Sequence, residues 1–220
     1  MNLESNGILI ELRPINNHDS LARIFTRDFG VMSGVMRAGA IRAKGKPLVG
    51  QIGMATWNAR LDSQLGTFHW DAEKNLAAPL MSDSKKLMLM NSMFSLLGVL
   101  LPERERYDAL YDETIGLLTT LAATTTPATD IYLGWEVNLL RELGYALDLH
   151  ACAGCGATDN LTHLSPRTCR AVCEKCAAPY ADRLYSLPLT LNTTRQLLDY
   201  VCGQQGITLP LGRRMIRADN

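Results

Sequence analysis

The sequence predicts an α+β chain in which a small five-stranded barrel precedes a helical region that carries a metal-binding insertion. Three observations carry this. Short period-two apolar runs, separated by glycine-marked turns, fill the first seventy residues. From about residue 73 the apolar spacing lengthens to three or four residues. Five of the six cysteines then crowd into one stretch, Cys152 to Cys176.

The strands come in order. In GILIELRP, Ile8, Ile10 and Leu12 alternate with Leu9, Glu11 and Arg13, as on a half-buried strand. INNHDS is a polar turn, SLARIFT a second strand and RDFG another turn. VMSGVMRAGA leads into the basic loop IRAKGKP, and VGQIGMATWNA and LGTFHW complete five strands. Short strands in such number suggest a small closed barrel, for which the OB-fold and an SH3-like barrel are the candidates. Phe25, Phe29, Trp57, Phe68 and Trp70 are its aromatics, expected mainly in the core.

The helices follow. Leu87, Met90, Phe94, Leu97 and Leu101 define one, with Ser82, Asp83 or Ser84 as N-cap and Pro102 as a stop. A second is predicted over Glu103 to Ala123. In a third, Ile131, Trp135, Leu139 and Leu143 share a face and Gly144 takes the C′ position. LTLNTTRQLLDYVCG reads as a last helix, with Cys202 a buried, inert thiol. The resulting division is 1–72 for the barrel, 73–149 with 178–220 for the helical domain, and 150–177 for the cysteine segment.

Composition places the chain among globular proteins. The N-terminus lacks the pattern of a signal peptide, and the apolar stretch from Leu87 to Leu101 is too short and too interrupted to span a bilayer. A cytoplasmic location is expected, where thiols stay reduced and a cysteine cluster reads as a metal site. Net charge is zero but uneven: +2 over 1–71, −5 over 72–149 and +3 over 150–220. Between Arg13 and Lys46, seven basic residues face only Asp19 and Asp28. A basic barrel and an acidic middle imply different partners for different parts.

The cysteine spacing is Cys152-x2-Cys155, seventeen residues, then Cys173-x2-Cys176. Two such pairs supply four thiolates, the tetrahedral shell that Zn2+ prefers, and Gly156 lets the first turn fold back. Four thiolates leave no open position, so the expected role of the zinc is structural. Cys169 is a fifth, spare thiol; His150 and His163 are expected to face solvent. Walker A, G-x-G-x-x-G, G-x-S-x-G, H-E-x-x-H and deaminase signatures do not occur, so no enzyme class gains motif support.

Several stretches resemble the RecO family of bacterial recombination mediators: GILIELRP, SLARIFTRDFG with VMSGVMRAGA after it, WEVNLLRELGYALDLHACAGCG, and LSPRTCRAVCEKCAAPYADRL. The resemblance implies an N-terminal OB-fold, a helical domain, and zinc held by Cys152, Cys155, Cys173 and Cys176. It also implies a non-enzymatic mediator, associated with the nucleoid, that binds single- and double-stranded DNA and anneals strands coated with single-strand-binding protein. With RecR, such proteins load the recombinase at gaps. DNA contact is assigned to Arg23, Arg27, Arg37, Arg42, Lys44 and Lys46, mainly through phosphates. The alternative is a protein-interaction adaptor with little DNA affinity of its own. Residues that could rim a site for the acidic tail of single-strand-binding protein are Lys74, Lys85, Lys86, Arg104, Arg106 and Arg141, or Arg213, Arg214 and Arg217.

Overall fold

The computed structural model describes residues 1–41, 46–61, 64–124 and 129–216. The chain divides into two compact units, Met1–Ala128 and Thr129–Asn220.

In the first unit, β1 (Asn2–Pro14), β2 (Asp19–Thr26), β3 (Gly30–Ile41), β4 (Gln51–Asn58) and β5 (Gly66–Asn75) form a closed barrel. The order is β1-β2-β3-β5-β4, and every pairing is antiparallel except β3 with β5. This five-stranded closure is the OB arrangement. Strand β1 belongs to both walls: Asn2 to Ile8 pair with β4, and Gly7 to Pro14 pair with β2. The register slips between Leu9 and Glu11, so Ile10 is a bulge residue. Leu9 packs inside with Ile24, Met32, Trp57, Phe68 and Trp70. Ile8, Leu9 and Ile10 are all buried in succession, which strict alternation on a half-exposed strand does not allow.

Outside the barrel, α1 (Ser84–Leu100) packs on β1. Asp83 is its N-cap, accepting from the amides of Lys85 and Lys86, and Pro102 follows its end. The second helix, α2 (Asp108–Ala123), starts five residues later than the sequence predicts. Residues 103–107 instead run beside β3: Glu103 bridges to Val31, and Arg104 N donates to Val31 O at 2.9 Å. Arg104 adopts φ +64° and stacks its guanidinium 4.5 Å from the Trp57 ring centre. A backbone partner on β3 has overridden local helix preference. Gly30 makes room for this segment: at φ +63°, a Cβ there would lie 1.7 Å from Glu105 O. Tyr111 of α2 meets Phe25 edge-on at 5.5 Å.

The second unit contains α3 (Thr129–Glu142), a sheet of β6 (Leu161–Leu164), β7 (Ala171–Cys173) and β8 (Tyr185–Ser186), then α4 (Glu174–Ala177), α5 (Leu191–Gln204) and α6 (Leu211–Arg214). Gly144 ends α3 at φ +87°, as expected. Thr190 and Thr193 form a capping box on α5, and Cys202 is buried there. The buried face of α3 is Tyr132, Trp135, Glu136, Leu139 and Leu140; Ile131 is exposed, a correction to the predicted face. Glu136 displaces the stripe because it has a buried partner. Arg213 ion-pairs with it through Nε, and Arg213 Nη2 donates to Glu136 Oε2 at 3.0 Å and to Leu191 O at 2.6 Å. Thr194 Oγ1 donates to Glu136 Oε2 at 2.5 Å. Arg213, considered above as a surface residue, is fully buried. Arg217 lies outside the described residues.

Removing one member of this group leaves an uncompensated buried charge. Glu136→Ala should therefore cost about 3–5 kcal/mol in urea unfolding. The double variant Glu136→Leu/Arg213→Met should recover most of that loss. Equal losses for the two variants would place the cost in packing rather than in the orphaned charge.

Candidate functional site

The four cysteines of the two pairs converge in the second unit, with all four Sγ atoms within 4.8 Å of one another. The two pairs reach this point by different routes. Cys152 and Cys155 lie on a tight turn, where Gly156 N donates to Cys152 O at 2.9 Å and Gly156 has φ +78°. Cys173 ends β7 and caps α4, and Cys176 lies within that single helical turn. The second pair is thus a strand–helix junction, not a second copy of the first turn. The strand hydrogen bonds keep the two pieces together: Ala153 N donates to Ala171 O at 2.8 Å, and Leu161 pairs with Cys173.

The geometry suits a tetrahedral ion. Cys155 Sγ and Cys173 Sγ lie 3.7 Å apart. Metal–sulfur bonds of about 2.3 Å set at tetrahedral angles give edges of about 3.8 Å. Amides already point at one sulfur: Gly154 N and Cys173 N each donate to Cys152 Sγ at 3.3 Å. Hydrogen bonds from the Cys173 and Cys155 amides pull the Cys152 thiol down to about 6. Its neighbours cannot all ionise beside it. Hydrogen bonding with Cys155, Cys173 and Cys152, in that order, holds the Cys176 thiol up at about 12. A divalent cation removes this conflict by stabilising every thiolate at once. Donor type, number and spacing therefore fit one metal ion.

Cys169 stays out of the cluster. It sits at φ +54° in the β6–β7 turn, is buried, and directs its thiol towards Pro166 O at 3.9 Å. Burial pushes that thiol up. His150 is exposed, and His163 Nδ1 is 2.9 Å from Thr162 Oγ1; neither joins the sulfurs.

The basic candidates lie on the barrel. Arg23, on β2, donates through Nη1 to Gly98 O at 2.7 Å and stands 3.5 Å from Glu11. Arg27 pairs with Asp112 at 2.9 Å. Arg37, opposite Asp19 on β3, and Lys46 are exposed. Arg42 and Lys44 lie outside the described residues. Trp57, Trp70, Phe25 and Phe68 are buried and Phe29 is half-buried against the core, which removes them as open stacking platforms. Arg13, counted among the seven basic residues but not assigned DNA contact, is exposed at the end of β1 and paired with Glu11. Its place beside a turn, on the same face as Arg23, was the available signal.

The sulfur geometry makes a direct prediction. Purified in reductant, the protein should carry about one tetrahedral metal ion per chain. Cys155→Ser should lose it and expose residues 150–177 to protease, whereas Cys169→Ser should do neither. Acid should release the ion, because thiolates reprotonate as the pH falls. Metal lost from Cys169→Ser and kept by Cys173→Ser would show a different fourth ligand.

Comparison with known proteins covers most of the chain. The family described as "Recombination protein O C terminal" matches residues 81–205. A protein of Jannaschia sp. (strain CCS1), named DNA repair protein RecO, is 40% identical over 193 residues, covering 86% of this chain and 77% of its own. Proteins of the same name from Rhodospirillum centenum and Granulibacter bethesdensis are each 38% identical. They cover 86% and 92% of this chain, and 76% and 82% of their own lengths. On the family match and these identities over most of its length, this chain belongs to the RecO family of DNA repair proteins.

Proposed function

We propose that the protein is a non-enzymatic recombination mediator that binds single- and double-stranded DNA and anneals complementary strands. The observation that carries this reading is the pairing of an OB barrel with kinship to DNA repair proteins over both units. OB barrels hold nucleic acid along a basic groove. The barrel, 1–72, supplies that groove through Arg23, Arg27, Arg37, Arg42, Lys44 and Lys46. On this reading the helical stretches 73–149 and 178–220 meet protein partners, and 150–177 is the zinc segment. Soft thiolates in tetrahedral array select Zn2+, bound as a structural ion by Cys152, Cys155, Cys173 and Cys176. RecR and single-strand-binding protein are the partners with which it would load recombinase at gaps, in the cytoplasm at the nucleoid. Among the described residues, no helix is long and apolar enough to cross a membrane.

One observation favours a second reading. Arg23 and Arg27 are already engaged within the first unit, and the whole chain is electrically neutral. An adaptor that contacts DNA weakly and partners strongly fits those facts. Annealing of complementary oligonucleotides by the purified protein separates the two. The mediator accelerates it, and the adaptor leaves it at the spontaneous rate.

Phosphate contact also has a salt signature. Each contact contributes about 0.7 to the slope of log affinity against log salt on single strands. Replacing Arg42, Lys44 and Lys46 together with Ala should weaken binding and flatten that slope by up to about 2. An unchanged slope would move DNA contact away from the β3–β4 loop.

A further inference from the structure

Between the β1–β2 hairpin and α1 lies an open cleft of about 230 Å3, entirely within the first unit. Its floor is apolar: Ile10, turned outward by the bulge, and Phe94 of α1. Its rim is cationic, with Arg13 and Arg23 beside Glu11. We propose that this cleft takes one base of a single DNA strand while Arg13 and Arg23 hold the adjoining phosphates. The inference rests on the DNA-binding reading above and adds a place, a strand preference and residues to it.

Size argues for one ring system. Sites for whole drug-sized ligands run to about 300–1,000 Å3, so this cleft is too small for a cofactor and large enough for a base. Charge argues for a phosphodiester. The three ionised groups sum to +1, and Glu11 acts mainly as a brace: it pairs with Arg13 Nε and stands 3.5 Å from Arg23 Nη1. Arg23 is further fixed by its 2.7 Å bond to Gly98 O. Both guanidiniums are thereby held before any ligand arrives. Among the described residues, Arg13 Nη1 and Nη2 and Arg23 Nη2 make no hydrogen bond, which leaves outer N–H groups for phosphate oxygens. Ile10 and Phe94, each only 4% exposed, offer the base an apolar edge at the bottom of the cleft and not an open stacking face.

Position gives the strand a path. Arg13 lies one residue before the end of β1, beside the β1–β2 loop, which is among the loops that OB barrels use to hold oligonucleotides. Across the hairpin, Arg37 of β3 stands opposite Asp19 at the other end of the same loop. Arg13, Arg23 and Arg37 therefore step across three neighbouring strands, β1, β2 and β3. A duplex could touch such a row with its phosphates. Its paired bases could not enter the cleft.

That difference is the test. Ser95 lines the cleft from α1, so Ser95→Trp fills it. Affinities for oligothymidylate and for a duplex of equal length are measured at one salt concentration. The filled variant should lose at least tenfold in the ratio of single-strand to duplex affinity. Asn91→Trp, from the exposed rim, repeats the test if Ser95→Trp does not fold. In the wild type, a strand carrying 5-iodouracil should photo-crosslink to the α1 peptide that contains Phe94. An unchanged ratio, or crosslinks confined to other peptides, overturns the cleft and leaves the DNA reading standing. Unchanged strand binding with lost binding of an apolar, carboxylate-ended peptide assigns the cleft to a protein ligand instead. Failure of the wild type to bind any DNA overturns the functional reading itself.

Discussion

Strand β1 is shared by both walls of the barrel, and an extra residue at Ile10 marks the place where it leaves β4. Up to Ile8 the strand pairs with β4, and from Gly7 with β2; past the bulge it bends and follows β2 alone. The bend does two things. It keeps Leu9 in the barrel core beside Ile24 and Phe68 while sending Ile10 to the outer surface. There α1 buries Ile10, and the same shift places Glu11 opposite Arg23 and Arg13 opposite Leu21. The seat for α1, the braced arginines and the cleft between them thus share one local cause.

The cysteine segment answers a different constraint. Its sheet has strands of four, three and two residues, and its own core contains little more than Cys152, Val172, Cys173 and Ala177. So small a cluster cannot offset the entropy of ordering its loops. A metal held by four thiolates can supply that free energy, on the order of 10 kcal/mol for a small structural site. Four thiolates would close such a shell, in keeping with the structural role proposed above.

Much of this was legible in the sequence because the signals were local. Alternation located five strands, Asp83 and Gly144 marked helix ends, and cysteine spacing picked the four sulfurs from six. What escaped depended on contacts between distant residues. Glu136 and Arg213 are 77 residues apart, so neither the buried glutamate nor the shifted face of α3 had a local signature. Residues 103–107 carried helix-forming side chains, yet β3 offered their backbone a better partner. The bulge was hidden because Ile8, Leu9 and Ile10 are all apolar, and alternation cannot tell which of three belongs outside. The cleft depends on that choice, so it was not legible either.

Deleting Ile10 tests the central constraint most directly. Without the extra residue, Leu9–Ile24 and Glu11–Arg23 become successive pairs of a regular ladder, so the register with β2 and with β4 persists. What is lost is the local bend and the Ile10 side chain buried beneath α1. The account predicts a fall in the first unit's thermal midpoint of about 10 °C or more, from that lost burial and the strained seat of α1. Amide exchange should show α1 losing protection while β2 and β4 keep theirs. A deletion variant with the wild-type midpoint and intact protection of α1 would show that the helix seat does not need the bulge, and would contradict the account.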